Sequence, residues 1–430
     1  MKYYSTNRKT APVSFKEAVI KGLPEDNGLF MPESIPRLPS EFINSLNKQT
    51  LSSIAFTVAK PLVEEDIMPD KLEEIVNETV NFDIPVRHIH DNIYTLELFH
   101  GPTLAFKDVG ARFLARCLSH FYRDADQKIT VIVATSGDTG SAVAHGFLGV
   151  KNVDVVILYP KGKVSELQEK QLTTLGQNIT ALEVDGNFDD CQRMVKSAFL
   201  DKELNQKMTL TSANSINIAR LIPQSFYYFW AFSQLENSEN VVFSVPSGNY
   251  GNLTAGLLSK AMGLPIETFV ASSNANDIVP SYLASGEYSP KPSIQTISNA
   301  MDVGNPSNFY RMLEIYGKSL EEVKADISGD SFSDNATREA MKSVYENHGY
   351  TLDPHGAVGY LGLTQFMKNH HGQGIFLETA HPAKFKNVVD EVVGNVTIPD
   401  RLKSCLTKEK ISVEMRGDYE EFKEFLWNRN

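Results

Sequence analysis

Residues 100–110 read His100–Gly101–Pro102–Thr103–Leu104–Ala105–Phe106–Lys107–Asp108–Val109–Gly110, and the rest of the chain is organised around Lys107. This lysine follows a strand expected to begin at Ile93 and carries Leu104, Ala105 and Phe106 on its N-terminal side. Apolar flanks desolvate an ammonium, lower its pKa and leave an amine able to attack a carbonyl and form a Schiff base. The same position also suits an ordinary helix-start lysine whose stem lies on apolar neighbours while its charge reaches water. The choice between the two depends on what else the chain supplies.

It supplies two glycine loops, each after an apolar, β-branched run. Thr135–Ser136–Gly137–Asp138–Thr139–Gly140–Ser141 follows Ile129–Ala134, and Pro246–Ser247–Gly248–Asn249–Tyr250–Gly251–Asn252 follows Val241–Val245. Both run into small-residue helical stretches, Ala142–Phe147 and Leu253–Leu258. A strand, a glycine turn and a helix N-terminus offer free backbone N–H groups and a positive dipole end to an anion. Neither loop is a nucleotide fingerprint, because the G-x-x-x-x-G-K-[ST] and G-x-G-x-x-G patterns are both absent. Singly, each is compatible with a plain strand-to-helix turn. Together with Lys107 they supply the parts a pyridoxal phosphate enzyme needs: an amine for the aldehyde, a cradle for the cofactor phosphate and a second anion site.

Four stretches then resemble one family, the threonine synthases. They are the N-terminal Tyr3–Tyr4–Ser5–Thr6 with Val13–Ser14–Phe15–Lys16–Glu17–Ala18 and Gly28–Leu29–Phe30–Met31–Pro32, the lysine segment His100–Asp108, the loop Thr135–Ser141, and the loop Ser247–Gly256. The match spans most of the chain and is similar to the branch with its own N-terminal domain. The resemblance implies an α/β fold of the tryptophan-synthase-β-like kind (fold type II): two open, mostly parallel α/β subdomains plus a mostly helical N-terminal domain. Residues 1–90 would be that leading domain and 91–430 the catalytic region, with a smaller subdomain at about 112–210.

It further implies pyridoxal 5'-phosphate as cofactor and conversion of O-phosphohomoserine and water to threonine and phosphate. Lys107 would hold the cofactor and move protons at the substrate α and β carbons. Ser247, Gly248, Asn249, Tyr250, Gly251 and Asn252 would cradle the cofactor phosphate, chiefly through backbone amides. Asp138 would lie beside the ring hydroxyl, and Thr379 beside the pyridine nitrogen. Thr135, Ser136 and Thr139 would face the substrate, with Thr139 at its carboxylate. Asn214, Ser215 and Arg220 would take its phosphate, for which the planar fork of arginine suits two parallel bonds. Two other readings share the lysine and the glycine loop. One is a threonine or serine dehydratase of the same fold, against which the N-terminal domain and the segment 214–220 speak. The other is a non-catalytic phosphometabolite-binding homologue, against which the intact Lys107 speaks.

Composition bounds the rest. The chain has 430 residues, 42% hydrophobic, with 41 basic and 53 acidic side chains for a net charge of −12. That balance argues against a nucleic-acid binder, since no basic run exists to release counterions, so a substrate phosphate must be held by local groups. Cys117, Cys191 and Cys405 are too few and too scattered for a disulfide framework. No long apolar run suits a membrane span. The expected partner is a small molecule, with neither nucleic acid nor membrane, in a cytoplasmic monomer or homodimer. No His or Cys spacing suggests a metal site: His88-x-His90 and His370–His371 are the only close histidine pairs.

Along the chain, Ser14-x-x-Glu17 is a capping box opening a helix that stops at Gly22, and Pro69–Val80 carries Leu72, Ile75, Val76 and Val80 at helical spacing. Residues 83–86 read as a linker. Strands are expected at Ile93–Leu98, Ile129–Ala134, Val153–Leu158, Ile179–Val184, Met208–Thr211, Val241–Val245, Ile266–Ala271 and Gly374–Leu377, with helices between most of them. Such alternation gives open, mostly parallel sheets with ligands at the carboxyl strand ends, where both glycine loops sit. Residues 274–308 lack periodicity and read as a loop-rich excursion. Residues 418–430 read as an amphipathic helix.

Overall fold

All eight strands expected from the sequence form, each within two residues of its expected bounds. In the computed structural model, which describes residues 1–429, they fall into two separate parallel sheets belonging to two units of the chain. One unit comprises Met31–Phe106 and Leu221–Thr397 with Met1; the other comprises Lys2–Phe30, Lys107–Arg220 and the chain from Ile398 onward. The leading ninety residues are thus shared between the two.

The first unit holds a six-stranded sheet in the order Ile327–Ser331, Ile266–Ser273, Val241–Pro246, Gly374–Glu378, Ile93–Glu97, Val86–His90. All neighbours are parallel except the last pair. The central strands Val241–Pro246 and Gly374–Glu378 are buried along their whole length, as expected of a sheet covered on both faces. The helix Pro354–Met367 packs on four strands of this sheet, Val241–Pro246, Ile266–Ser273, Ile327–Ser331 and Gly374–Glu378. Tyr228, on the helix Ser225–Ser233, sets its ring edge-on to Phe243 and Phe269 at centroid distances of 5.0 and 5.8 Å.

The second unit holds a five-stranded, wholly parallel sheet in the order Val413–Arg416, Ile179–Asp185, Val153–Pro160, Ile129–Ala134, Thr209–Ser212. Its leading helix, Phe15–Lys21, opens on the expected capping box and ends on Gly22 at φ 66°. That helix is tied to the sheet edge at Val19, whose carbonyl accepts from Thr211 Oγ1 and Asn217 Nδ2, both at 3.0 Å. The C-terminal helix Tyr419–Trp427 is capped by Asp418 and buries Phe422 and Leu426.

Five further strands appear: the short Tyr3–Ser5 and Phe30–Pro32, and Val86–His90, Ile327–Ser331 and Val413–Arg416, the last three each at the edge of a larger sheet. Residues 274–308 contain a helix, Ile278–Ser285, and a short turn, Asn299–Met301, inside the expected excursion. Cys117, Cys191 and Cys405 are buried thiols, and among the described residues no helix is long and apolar enough to cross a membrane.

Candidate active site

In the first unit, three neighbouring parallel strands deliver the expected groups to one edge. Val241–Pro246 runs into Ser247 and Gly248, Gly374–Glu378 into Thr379, and Ile93–Glu97 into the segment ahead of Lys107. That last segment runs alongside the end of its neighbour. Leu98 N–H donates to Glu378 O at 2.9 Å, Phe106 N–H to Thr379 O at 2.9 Å, and His381 N–H to Leu104 O at 3.1 Å. Tyr227 Oη donates to the Phe106 carbonyl at 2.5 Å, and Lys384 Nζ to the Thr103 carbonyl at 2.9 Å. Leu104 sits at φ 57°, a left-handed conformation that costs a non-glycine residue about 1–2 kcal/mol and persists only where the surroundings over-determine it.

The loop Ser247–Asn252 turns through Tyr250 at φ 59° into the helix Gly251–Ala261, whose first N–H groups have no carbonyl of their own helix to bond. Its side chains are occupied in holding the turn. Ser247 Oγ donates to Asn252 Oδ1 at 3.0 Å, Asn252 Nδ2 donates to Pro246 O at 2.8 Å, and Tyr250 Oη lies 2.5 Å from Ser273 Oγ. Gly248 is required by close approach, since a methyl there would lie 2.6 Å from Met301 Cα. Glycine-loop amides at a helix N-terminus, backed this closely by main chain, form a cradle suited to a phosphate.

The second unit carries the other expected residues. Lys107, half-buried, opens the helix Lys107–Tyr122. Thr135 and Asp138 are buried, whereas Ser136 and Thr139 stay part-exposed at the loop tip. Thr135 Oγ1 accepts from Gly137 N–H and Gly140 N–H at 2.9 and 2.8 Å and so shapes its own loop. Asp138 Oδ1 accepts from Gln168 Nε2 at 2.8 Å. Asn214 lies at the end of the neighbouring strand and donates from Nδ2 to Ala134 O at 3.0 Å; Ser215 follows it, part-exposed.

Arg220, only 4% exposed, donates from Nη1 to the Ala213 carbonyl and lies against the lysine helix. A methyl on Gly110, one turn after Lys107, would stand 3.0 Å from Arg220 Nε. Within this unit, Lys107 and Arg220 therefore belong to one packed corner.

Four buried side chains have no counterpart in the sequence reading. Gln168 holds Asp138, and Glu378, next to Thr379 in the chain, is linked through Asp353 to His355. Burial and the adjacent Asp353 push the Glu378 carboxyl well above the usual carboxylate range. Burial depresses His381, two residues beyond Thr379, to a pKa of about 4, so its ring is neutral near pH 7 and its Nδ1 accepts from Ala383 N–H at 3.1 Å.

Comparison with known proteins gives concordant matches. A model described as pyridoxal-phosphate dependent enzyme matches residues 81–377, one described as threonine synthase N terminus matches 2–80, and one described as threonine synthase, C-terminal matches 356–426. The threonine synthase of Haemophilus influenzae is 46% identical over 429 residues, covering 99% of each chain. The crystal structure of threonine synthase from Escherichia coli superposes with a TM-score of 0.94 at 42% identity, covering all of both chains. A pyridoxal-phosphate-bound threonine synthase from Brucella melitensis superposes with a TM-score of 0.92 at 34% identity, covering 100% of this chain and 99% of that one.

Proposed function

The chain belongs to the threonine synthase family of pyridoxal-phosphate-dependent enzymes, and from that premise we propose how its own residues divide the reaction. The enzyme converts O-phosphohomoserine and water to threonine and phosphate. Bound pyridoxal phosphate supplies the electron sink that makes protons on the substrate α and β carbons removable.

One observation carries the residue assignment: three adjacent parallel strands end at the Gly248 loop, at Thr379 and at the segment leading into Lys107. In this reading the Lys107 amine holds the cofactor aldehyde and then moves protons at the α and β carbons. Backbone amides of Gly248–Asn252 hold the cofactor phosphate, while Ser247, Tyr250 and Asn252 keep those amides in place. The Thr379 hydroxyl would serve the ring nitrogen, and Asp138, steadied by Gln168, would serve the ring hydroxyl. Thr135, Ser136 and Thr139 orient the substrate, with Thr139 at its carboxylate.

Asn214, Ser215 and Arg220 take the substrate phosphate and keep it near the γ carbon as it departs, favouring water addition over early release by positioning and charge. The buried Arg220 guanidinium supports this role in a protein whose net charge of −12 offers phosphate no general attraction. We read residues 1–90 as the family-specific leading domain and 91–430 as the catalytic region, with the smaller subdomain near 112–210. The enzyme works in the cytoplasm as a monomer or homodimer, where its three thiols remain reduced.

A turnover assay tests the assignment. O-phosphohomoserine should yield threonine and phosphate in equal amounts. Deamination of added threonine, without phosphate release from O-phosphohomoserine, would assign the protein to the dehydratases instead.

A further inference from the structure

His355 and Asp353 are 2% and 0% exposed. The His355 ring donates from Nδ1 to Asp353 Oδ1 at 2.5 Å, and Asp353 also caps the helix Pro354–Met367 by accepting from the N–H groups of His355 and Gly356 at 2.8 and 3.3 Å. A proton on Nδ1 leaves a lone pair on Nε2. That lone pair accepts from Ala300 N–H at 3.2 Å. Behind Asp353, Glu378 Oε1 accepts from the Asp353 N–H at 2.7 Å. Burial, then the adjacent Asp353, pushes the Glu378 carboxyl well above the usual carboxylate range, and the hydrogen bond from Nδ1 to Asp353 Oδ1 fixes the histidine tautomer. Gly356 makes room for this acid, since a methyl there would overlap Glu378 Oε2.

Ala300 lies in the turn Asn299–Met301, and Met301 backs Gly248 through main-chain atoms 2.6–3.0 Å from where a methyl would sit. The same excursion grips the next loop residue. Ser307 N–H donates to Asn249 Oδ1 at 2.6 Å, Asn308 Nδ2 donates to Asn249 O at 3.1 Å, and Arg311 Nη1 donates to Asn308 Oδ1 at 2.9 Å. Loop 247–252 is thus shaped from behind by residues 299–308, and those residues are keyed to the buried core through the Ala300 N–H.

We propose that His355 is a positioning residue for the cofactor phosphate, acting through Ala300 and Met301 on the backbone of Gly248 and Asn249. The proposal rests on the reading of loop 247–252 as the phosphate cradle. His355 touches neither cofactor nor substrate; it fixes where the loop amides point.

The test is reconstitution of the full-length protein with pyridoxal 5'-phosphate and, separately, with pyridoxal, which has the same aldehyde and ring but no phosphate. His355→Asn keeps a donor toward Asp353 and removes the acceptor for Ala300; His355→Gln keeps an acceptor near the Nε2 position. H355N should weaken pyridoxal phosphate binding about tenfold while leaving pyridoxal within about twofold, and H355Q should retain most of the phosphate preference. Equal weakening of both ligands in H355N, or no weakening of either, overturns the proposal.

Gly248→Val separates this failure from failure of the cradle reading. If G248V leaves the ratio of the two affinities unchanged, the cradle reading itself falls. If G248V collapses the ratio and H355N does not, only the role of His355 falls. Should H355N not fold, Ala300→Pro deletes the same hydrogen bond from its donor side, and an unchanged ratio in that variant is equally fatal.

Discussion

Phe106 donates its backbone N–H to the Thr379 carbonyl at 2.9 Å, and Lys107 is the next residue. A main-chain bond, backed by the Ala105–Ala380 bridge, sets the register of the segment leading to the lysine against the end of the strand Gly374–Glu378. Thr379 and Phe106, the residue ahead of Lys107, are therefore held together by backbone geometry, which a side-chain substitution at Thr379 or Lys107 leaves in place.

Lys107→Ala should accordingly fold with unchanged thermal stability yet lose turnover by roughly 10³-fold or more, because both the covalent anchor and the proton carrier are gone. Lys107→Arg should fail similarly, since a guanidinium stays protonated and cannot attack an aldehyde. Absorbance checks both variants: the wild-type protein should be yellow and bleach with borohydride, and neither variant should.

Arg220→Lys keeps a positive charge but loses the fork, so KM for O-phosphohomoserine should rise by about tenfold with a smaller change in kcat. Arg220→Met should raise it further. Gly110→Ala should act in the same direction from outside the phosphate site, because its methyl would force Arg220 Nε to move from 3.0 Å. Steady-state kinetics with inorganic phosphate as inhibitor checks this: inhibition should weaken in parallel with KM. If KM stays fixed while kcat falls in all three variants, Arg220 does not bind the substrate phosphate.

The sequence made most of the sheet structure legible because its strands are buried on both faces and read as short apolar runs between turn signals. Val241–Pro246 and Ile129–Ala134 show this directly. The strands it concealed are edge strands. Ile327–Ser331 contains Gly329 and Asp330, Val413–Arg416 buries only Met415, and Val86–His90 is half polar and overlaps a stretch that reads as a linker. Such segments become strands only because a neighbour offers a ladder, and that information lies elsewhere in the chain.

The same holds for the site. Lys107, the two glycine loops and the capping box are local patterns. The Asp138–Gln168 pair spans 30 positions and the Asp353–Glu378 contact 25, with no spacing rule to connect them. The available signals were an acid, Glu378, closing an apolar strand, and Asp353 ahead of Pro354 as a helix cap.

Ser14→Ala removes the side chain that accepts from Glu17 N–H at 3.2 Å and should cost about 1 kcal/mol of stability, read as a lower midpoint in chemical denaturation. The helix it caps carries the Val19 carbonyl that anchors Thr211 and Asn217, three residues before Arg220. Loosening it should therefore also raise KM modestly, whereas an exposed control such as Lys16→Ala on the same helix should leave KM unchanged.

Glu378 gives the sharpest pH prediction. Its carboxyl is fully buried, and burial first, then the charge of Asp353, raise its folded pKa far above that of the unfolded chain. Above the unfolded value of about 4.5 the folded state holds one proton that the unfolded chain has released. Folding stability from this group is complete below that pH and declines as pH rises, with a limiting slope of about 1.4 kcal/mol per pH unit. Glu378→Gln keeps the shape and, in its amide oxygen, the acceptor for the Asp353 N–H, but cannot ionise. Its stability should match wild type near pH 4.5 and exceed it increasingly toward pH 8, the gap widening with each unit. Denaturant midpoints across that range decide it, and parallel curves for the two proteins would mean that Glu378 is ionised in the folded state.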